Sequence, residues 1–428
     1  MRKFESAGPG ATSLVILPQR YLILFILNGL YFFVYFHRVS TAVLAPYLIE
    51  AFSASATSLG AMSSAYFYPY ALSQPMVGWL ADRWGARKII TFSTLISFLG
   101  AFLFALAESL IWAAFARALI GFGAAGVFVP ALKILLPWFG AKAFARMNTI
   151  LLAVGNIGAI VASTPYAWFI QQVGWRNSFF FIAALSLFLF FLSGQFVRDA
   201  PEAEIKPGKE LVDKEQTGPL GFIDILKSPF YWIMATLFFA YGGPFSTFQG
   251  LWGYPFLIDI FAFDKIQASY FLMLIAWGVI LGGPILGFLI DKKFFKYKRE
   301  FLSFLIALQV LNWAALVFIG PSLGYFLLGL ILFLMGMFLA GTLSSVWSIV
   351  REESPPERLG TTMGMLNPAP FLGIAVFQPL TGYLMDRVGK EGNSFSFPAY
   401  QQAFALCLCS LIISLIFSFI LPRKRDKR

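Results

Sequence analysis

Residues 78–88 read Gly-Trp-Leu-Ala-Asp-Arg-Trp-Gly-Ala-Arg-Lys, a short charged segment between two long apolar runs. The whole sequence is 59% hydrophobic and only 12% charged, whereas soluble domains average roughly 25% charged residues. A lipid core about 30 Å thick needs roughly 20 apolar residues in helical form. The runs on both sides of residues 78–88 meet that length, and comparable runs recur along the chain. The sequence therefore predicts an all-α membrane protein.

Twelve membrane spans are predicted from these runs, and short polar loops separate them. The spans are 21–49, 56–80, 87–107, 110–136, 145–170, 177–197, 229–258, 267–290, 300–319, 324–350, 359–384 and 399–421. Residues 1–19 lack the pattern of a cleaved signal peptide, so the first span is expected to act as the insertion signal.

Basic residues are distributed unevenly between the two sets of loops. Of the 32 Lys and Arg residues, 25 fall in the loops and tails on the side of the N-terminus and four on the opposite side. Cytoplasmic loops carry the excess of basic residues in membrane proteins. Both termini are therefore predicted to lie in the cytoplasm, with the chain in the inner (plasma) membrane. The net charge of +11 is explained by this topology, and no nucleic-acid partner is expected.

The chain repeats itself in two halves. Several residues recur 209 or 211 positions later, namely Gly78 as Gly287, Asp82 as Asp291, Trp138 as Trp347 and Asn156 as Asn367. A charged stretch, 199–228, divides the spans six and six and is predicted to be a cytoplasmic linker. The predicted domains are an N-terminal bundle, 1–198, and a C-terminal bundle, 229–428. A site between two such halves is a known transporter architecture.

Residues 78–88 resemble the G-x-x-x-D-R-x-G-R-K signature of the major facilitator superfamily, and 287–292 resemble its degenerate second copy. Span 4 carries a further similarity in Arg117-x-x-x-Gly121-x-Gly123, and Gly174-Trp175-Arg176 precedes span 6. The resemblance covers essentially the whole chain. It implies two six-helix bundles that rock to give alternating access, hence a secondary transporter and not an enzyme.

The charged loop residues are candidates for gating. Glycine permits close helix approach, and an aspartate is favourable near a helix N-terminus. Basic side chains beside it could latch the gate through ion pairs, although they could equally serve only the topology. The predicted gating residues are Gly78, Asp82, Arg83, Arg87 and Asp291.

The charges expected inside the membrane are basic. Arg38, Arg117 and Lys133 fall within spans, as does the one histidine, His37, whereas the 21 acidic residues fall in loops, tails or span ends. A charge at the bilayer centre costs roughly 2.5–3.5 kcal/mol, so it normally faces water, a partner or substrate. An anionic substrate would supply the missing countercharge. Lys133, near the end of its span, is expected to be a snorkelling anchor.

Arg38 has the best position for binding an anion. Asn28, Tyr31, Tyr35 and Arg38 follow one another at spacings of three, four and three, which places them on one helix face. A guanidinium suits bidentate contact with carboxylate or phosphate. The alternative is that Arg38 snorkels to the outer surface.

Residues 35–46 resemble the first-helix motif of the organic-anion symporter branch of that superfamily, commonly D-R-x-x-[LI]-S-x-A-x-P. The resemblance implies that Arg38 touches the substrate carboxylate and that Arg117 corresponds to the branch's fourth-helix arginine. The sequence departs where His37 replaces the acid before the arginine and where Ala124 replaces a carboxylate of some members. Inherited proton coupling is therefore open. His37 is the candidate coupling residue because its unperturbed pKa lies near neutrality.

Neutral side chains at helical spacing complete the predicted site. Polar residues at such spacing can also simply join helices by hydrogen bonds. The predicted substrate-binding residues besides Arg38, Tyr31, Tyr35 and Arg117 are Tyr66, Tyr70, Asn156, Gln249, Trp252, Trp277, Asn367 and Gln378. Gly242-Gly243-Pro244 in span 7 is expected to break the helix and expose its backbone.

The sequence favours a secondary active transporter of a small organic anion, with a carboxylate as the expected substrate. The alternatives are an exporter of hydrophobic compounds or a transporter of an anionic siderophore or phosphate ester. A membrane enzyme would need a cluster of catalytic groups, and one histidine without internal acids argues against it. No cofactor or metal is expected. The expected partners are the lipid bilayer and the substrate, a proton is the candidate coupling ion, and the expected state is a monomer.

Overall fold

The structure is a computed structural model that describes residues 9–201, 219–294, 296–355, 358–391 and 394–421. Helices account for nearly all of it, as the sequence predicts. The first six spans are formed by α1 (Pro9–Phe52), α2 (Ala56–Ser64), α3 (Phe67–Trp84), α4 (Ala86–Ala105), α5 (Leu110–Ala125), α6 (Phe128–Val161), α7 (Thr164–Val173) and α8 (Trp175–Phe196).

The remaining described chain begins with a short helix of the predicted linker and continues through six further spans. Its elements are α9 (Pro219–Lys227), α10 (Pro229–Thr247), a π-helix (Phe248–Trp252), α11 (Gly253–Phe261), α12 (Lys265–Lys292), α13 (Lys298–Ile319), a 3-10 helix (Gly320–Ser322), α14 (Tyr325–Glu353), α15 (Leu359–Leu366), α16 (Pro368–Val388), the two-residue strands β1 (Lys390–Glu391) and β2 (Ser394–Phe395), and α17 (Phe397–Ile420).

Eight helical segments in the described residues are long and apolar enough to cross a membrane. One of them, Leu110–Val161, contains two crossings. It reverses at Gly140, where φ is +71°, a backbone conformation that favours glycine. The other three crossings, spans 2, 7 and 11, are built from shorter pieces: α2 with α3, α10 with the π-helix and α11, and α15 with α16.

The break in span 7 lies later than predicted. α10 continues through Gly242, Gly243 and Pro244, and the irregular turn is the π-helix at Phe248–Trp252. The glycines serve packing instead: a Cβ on Gly242 would lie 2.6 Å from the Pro370 side chain of α16. The prediction of an open backbone at 242–244 is therefore wrong, because the small residues admit a neighbouring helix rather than solvent.

Alternating helix direction gives the molecule two ends. We call the end with residues 84–86, 139–141, 197–201, 292–294 and 296–297 the linker end, and the opposite end, with 53–55, 262–264, 389–391 and 394–396, the far end. The two halves meet where α2 and α3 pack on α16 and where α1 packs on the π-helix and α11.

Some predicted features fall outside the described residues. These are most of the linker, 202–218, the basic tail, 422–428, and the first eight residues. Asp291 lies on α12, but its side chain also falls outside the described part.

Candidate functional site

Arg38 lies on α1 where the two halves meet. Its guanidinium donates a hydrogen bond from Nη2 to the Tyr70 hydroxyl over 2.5 Å. Its Cζ lies 4.7 Å from the ring centroid of Tyr35 and 4.8 Å from those of Tyr70 and Phe371. These four residues, which we call the Arg38 cluster, come from α1, α3 and α16. The structure thus brings together three predicted binding residues and takes the fourth member from the other half of the chain.

Phe371 was not predicted, because single aromatic residues in a sequence this rich in phenylalanine usually serve packing. Its ring lies 4.6 Å from the Tyr70 ring as well as over the guanidinium. A signal was present, since Phe371 follows Asn367 by four residues and therefore shares its helix face. Phe371 makes the cluster a contact between the halves.

No described carboxylate forms an ion pair with Arg38 or Arg117. Arg38 Nε also has no hydrogen-bond partner in the described residues. A ring face attracts a cation by about 0.5–2 kcal/mol, so the three rings offset part of the cost of withdrawing this charge from water. The guanidinium keeps donor capacity that an anion can use.

Arg117 lies behind the Arg38 cluster. It is 1% exposed, donates from Nη1 to the His37 carbonyl oxygen over 2.9 Å, and has its Cζ 4.9 Å from the Tyr66 ring centroid. Tyr66 is fully buried and stacks on Tyr70 with centroids 5.8 Å apart. Both residues are enclosed within the N-terminal half, so in this conformation they support the cluster and are not open to a ligand.

Asn367 is linked to the other half by a hydrogen bond. Its Nδ2 donates to Gln74 Oε1 over 2.5 Å, and the Tyr68 hydroxyl donates to the Ala375 carbonyl oxygen over 3.0 Å. The contact between spans 2 and 11 therefore extends well beyond the far end, since Gln74 lies 18 residues after the start of α2. Asn367 closes the interface beside Arg38 in this conformation.

Two predicted binding residues are packed against neighbouring helices in this conformation, and their binding role stays a prediction. Trp252 is fully buried and donates from Nε1 to Thr381 Oγ1 over 2.8 Å within the C-terminal half. Tyr31 is 4% exposed and stacks on Phe128 at 5.2 Å. Both satisfy the helical spacing that suggested them, but spacing does not reveal which neighbouring helix covers the face.

The other neutral candidates are dispersed. Trp277 on α12 is 42% exposed and makes no ring contact with the Arg38 cluster. Asn156 donates from Nδ2 to the Leu152 carbonyl oxygen of its own helix over 2.9 Å. Gln249 is partly buried on the π-helix. Gln378 is fully buried, and neither polar atom of its amide has a described partner, which costs about 1–3 kcal/mol.

His37 faces the interior of the N-terminal half. It is 2% exposed among aromatic rings, including Phe36 at 5.7 Å, and neither ring nitrogen has a described partner. Its ring borders a cavity of about 20 Å³ that Ala124 also lines, which is room for one water molecule. The two positions where the sequence departs from the organic-anion branch therefore share one small cavity.

The predicted gating charges at the linker end have partners in their own half. Lys133 Nζ lies 2.5 Å from Asp82 Oδ1 and also donates to the Gly78 carbonyl oxygen over 2.8 Å. Lys133 thus reaches the linker end, as expected of a snorkelling side chain, and there it forms an ion pair with Asp82. Arg83 lies over the Trp79 ring at 5.5 Å.

Arg87 is also tied to its own half. Its backbone N–H donates to Asp199 Oδ1 over 2.7 Å, and its guanidinium donates to the Gly194 carbonyl oxygen. A Cβ on Gly78 or Gly287 would meet no described atom within 4 Å. The close helix approach expected at Gly78 is thus not made in this conformation, and the gating role of Gly78 stays a prediction.

Asp386 joins the halves at the far end and was missed by the sequence analysis. Its carboxylate accepts hydrogen bonds from the backbone N–H groups of Ala56 and Thr57, over 2.8 and 2.7 Å, and from Thr57 Oγ1 over 2.5 Å. These are the first N–H groups of α2, so the carboxylate caps that helix across the interface. Burial alone would raise the pKa of Asp386, but the hydrogen bonds from Thr57 and Ala56 outweigh it and lower that pKa below its usual value.

The backbones of α2 and α16 touch beside Asp386. A Cβ on Gly60 would lie 2.3 Å from the Gln378 carbonyl oxygen, and one on Gly382 would lie 2.3 Å from that of Ala56. A signal for this contact was present, because Gly382-x-x-x-Asp386-Arg-x-Gly repeats the pattern of residues 78–85. This copy lies outside the 209-residue offset that relates the other repeated residues.

Comparison with known proteins agrees with this architecture. Residues 27–375 match the family model described as Major Facilitator Superfamily. The chain is 25% identical to a probable sulfoacetate transporter, SauU, of Cupriavidus necator over 89% of this chain and 90% of the relative. It is 23% identical to the hexuronate transporter of Bacillus subtilis over 87% and 89%, and 23% identical to a probable hexose phosphate transport protein of Chlamydia pneumoniae over 90% and 88%.

Solved structures share the fold. The crystal structure of a bacterial homologue of the human lysosomal transporter Spinster, inward-facing and unoccupied, superposes with a TM-score of 0.76 at 18% identity, covering 94% of this chain and 97% of that one. The nucleoside transporter NupG superposes with a TM-score of 0.74 at 16% identity, covering 94% and 99%. With the family model matching most of its length, this chain belongs to the major facilitator superfamily and is a multi-pass membrane transporter.

Proposed function

We propose that this protein is a secondary active transporter of a small organic anion, and that Arg38 binds the anion's carboxylate or sulfonate group. The observation that carries the proposal is the Arg38 guanidinium, held by rings from both halves without an acidic partner among the described residues. A site at the meeting point of the two halves is reached alternately from either side when the halves rock.

Electrostatics favour an anion at this position. Arg38 and Arg117 are two cations joined through the stacked rings of Tyr66 and Tyr70, and their charges add in the same region. A guanidinium forms paired hydrogen bonds with planar or tetrahedral oxyanions. Lipophilic cations, the expected cargo of a drug exporter with a buried acid, would meet repulsion here.

The relatives support the substrate class. The names of the similar proteins include a sulfoacetate, a hexuronate and a hexose phosphate transporter, and each of these substrates carries a carboxylate, sulfonate or phosphate group. A phosphate ester is less favoured than a carboxylate, because span 7 offers no arginine to accompany Arg38.

The proposed orientation puts the linker end in the cytoplasm and the protein in the plasma membrane. The support is the distribution of basic residues and the bacterial origin of the relatives. The described conformation has its closest contacts between halves at the far end, which would then be the outer surface.

The test is counterflow uptake in proteoliposomes with radiolabelled glucuronate, sulfoacetate and glucose 6-phosphate, alongside a lipophilic cation. We expect uptake of at least one of the two small acids. A hydrogen bond to a charged group contributes about 1.5–3 kcal/mol, so Arg38→Gln should lower uptake roughly 10- to 100-fold.

Arg20→Gln is the matched control. Arg20 lies on the same helix and over the Tyr21 and Phe139 rings at 4.9 and 5.8 Å, but at the linker end of α1. Uptake of the acid by the Arg20→Gln protein should stay near the wild-type value. Uptake of the lipophilic cation alone, or equal losses in both variants, would refute the proposal.

We propose His37 as the coupling residue if transport is proton-linked. The support is its position in a small cavity inside the N-terminal half, next to Arg117. Uptake of the transported acid would be measured against external pH in wild type and His37→Gln. An unchanged pH dependence in the variant would exclude this role and favour anion exchange or a different carrier group.

A further inference from the structure

A cavity of about 280 Å³ opens at the linker end of the C-terminal half. It is separate from the Arg38 cluster, since none of its lining residues belongs to that cluster. The wall is formed by α12, α14 and α15 through Gly287, Ile290, Ser344, Trp347, Ser348, Arg351 and Met363. Its volume is near the lower limit of small-molecule sites.

One face of α14 supplies the polar part of the wall. Ser344, Trp347, Ser348 and Arg351 follow the helical spacing of three and four residues, so they form a stripe along the cavity. Ser348 is 7% exposed, and its hydroxyl has no described hydrogen-bond partner. An unsatisfied buried hydroxyl is unfavourable, and a bound oxyanion would satisfy it.

The acidic neighbours of Arg351 on α14 pair with another helix. The next two residues of α14, Glu352 and Glu353, form ion pairs with Lys298 and Arg299 of α13. Arg351 itself is exposed and pairs with no acidic side chain that the structure describes. The acids are thus directed to α13, and the base is left at the cavity.

The remaining wall suits the carbon skeleton of a small acid. Trp347 offers a ring that is fixed by Phe238 at 5.0 Å, and Ile290 and Met363 add apolar surface. A cation, a hydroxyl and an indole ring together match an organic anion better than an inorganic one, because part of the ligand would lie against apolar groups.

We propose that this Arg351 cavity is a second binding site, for a small organic carboxylate or sulfonate, which the anion occupies before or after it reaches Arg38. The inference rests on the proposed function for the ligand's class, but the site is distinct from the one that Arg38 forms. The positive potential of Arg351 at the linker end would raise the local concentration of anions near the transport path.

The test uses a cysteine reporter in the full-length protein. Ser344→Cys is made in a background of Cys407→Ala and Cys409→Ala, and its reaction with methyl methanethiosulfonate is followed in a neutral detergent. Glucuronate and sulfoacetate are the probes. At four times its dissociation constant a ligand leaves about one fifth of the sites empty, so the reaction should slow about fivefold.

The variants separate this site from the central one. Protection should disappear in Arg351→Gln and weaken in Ser348→Ala, but persist in Arg38→Gln. Arg146→Gln, which removes an exposed base from the same end of the other half, is the matched control and should keep full protection. With each rate divided by that reagent's rate with a free thiol in solution, the anionic sulfonatoethyl reagent should be favoured about twofold or more over its cationic trimethylammonium counterpart, a preference that Arg351→Gln removes.

Protection that survives Arg351→Gln would overturn the proposal, because the anion would then bind elsewhere. Protection that is lost in Arg38→Gln would also overturn it, because the effect would then be a consequence of binding at Arg38. Protection by phosphatidylglycerol but not by either acid would also overturn it, and would identify a lipid phosphate as the ligand. If the wild-type protein transports neither acid but Arg351-dependent protection is observed, the proposed function fails while the site stands.

Discussion

The two ends of the interface between the halves use similar charged residues in opposite ways. At the far end, Asp386 caps α2 of the other half, and Lys390 Nζ donates to the Ala54 carbonyl oxygen over 3.1 Å. At the linker end, no described ion pair joins the two halves: Lys133–Asp82, Lys298–Glu352 and Arg299–Glu353 stay within a half, and Arg358–Asp224 joins the C-terminal half to α9 of the linker.

This difference shows which end holds the described conformation together. Contacts across the interface stabilise the conformation in which that end is closed, whereas contacts within a half stabilise only that half. The pattern of residues 78–85 and its repeat at 382–389 lie at opposite ends of the molecule. Gly382 and Asp386 would close the far end in this conformation. Gly78 and Asp82 are predicted to close the linker end in the alternate one.

The largest effect is expected from Gly382→Ala. The new Cβ would lie 2.3 Å from the Ala56 carbonyl oxygen, so α2 and α16 must separate. Overpacking costs about 1–3 kcal/mol, which shifts the population toward a far-end-open state roughly 5- to 100-fold. Spin labels on α2 and α16 would report the distance. Gly324→Ala, at the same end but with open space around it, should change nothing; equal shifts in both variants would contradict the close-packing role.

A smaller shift is expected from Asp386→Asn. The amide keeps one acceptor but loses the charge that three donors of α2 surround, at a cost of about 1–2 kcal/mol. Asp264→Asn is the control, since Asp264 caps α12 at the same end within one half. Both variants should lose thermal stability. Only Asp386→Asn should increase the labelling of a cysteine introduced at the far end. Increased labelling in Asp264→Asn as well would show that the cap acts through stability alone.

Acidity should have little effect on the far end in the physiological range. The pKa of Asp386 is lower in this closed conformation than its usual value, so its contribution to closure is complete above that usual value of about 4 and is lost as the pH falls through the lowered pKa. The distance between the spin labels should therefore be constant from about pH 8 to 5. A transition near pH 6 would show that another group, and not Asp386, controls closure.

The smallest effect on this interface is expected from Asp82→Asn. Its pair with Lys133 lies within one half and 74% of the Asp82 side chain is exposed, where such pairs contribute about 0–1 kcal/mol. Far-end labelling should stay unchanged or fall, while transport slows if Asp82 latches the alternate conformation. Lys142→Gln is the control for loss of a charge at the same end. Unchanged transport in a well-expressed Asp82→Asn protein would refute the gating hypothesis.

Much of the site could be predicted because the decisive signals are local. Tyr35 and Arg38 share a face of α1 by spacing alone, and the lack of acids in the spans identified an anion as the favoured ligand. The covering of Trp252 and Tyr31 in this conformation could not be predicted, because a helical stripe does not say which neighbouring helix packs on it. Phe371 was missed because its partner, Arg38, lies 333 positions away.

Twelve crossings in two six-helix halves and a basic interior could be predicted from the sequence, because apolar length, charge and spacing are properties of one chain segment at a time. Which polar groups satisfy one another depends on which helices meet, so it follows only from the tertiary structure. That structure joined Phe371 to Arg38, moved the break of span 7 to the π-helix and set Asp386 on the end of α2. It also left Arg351 facing a cavity, because the acids beside it pair with α13.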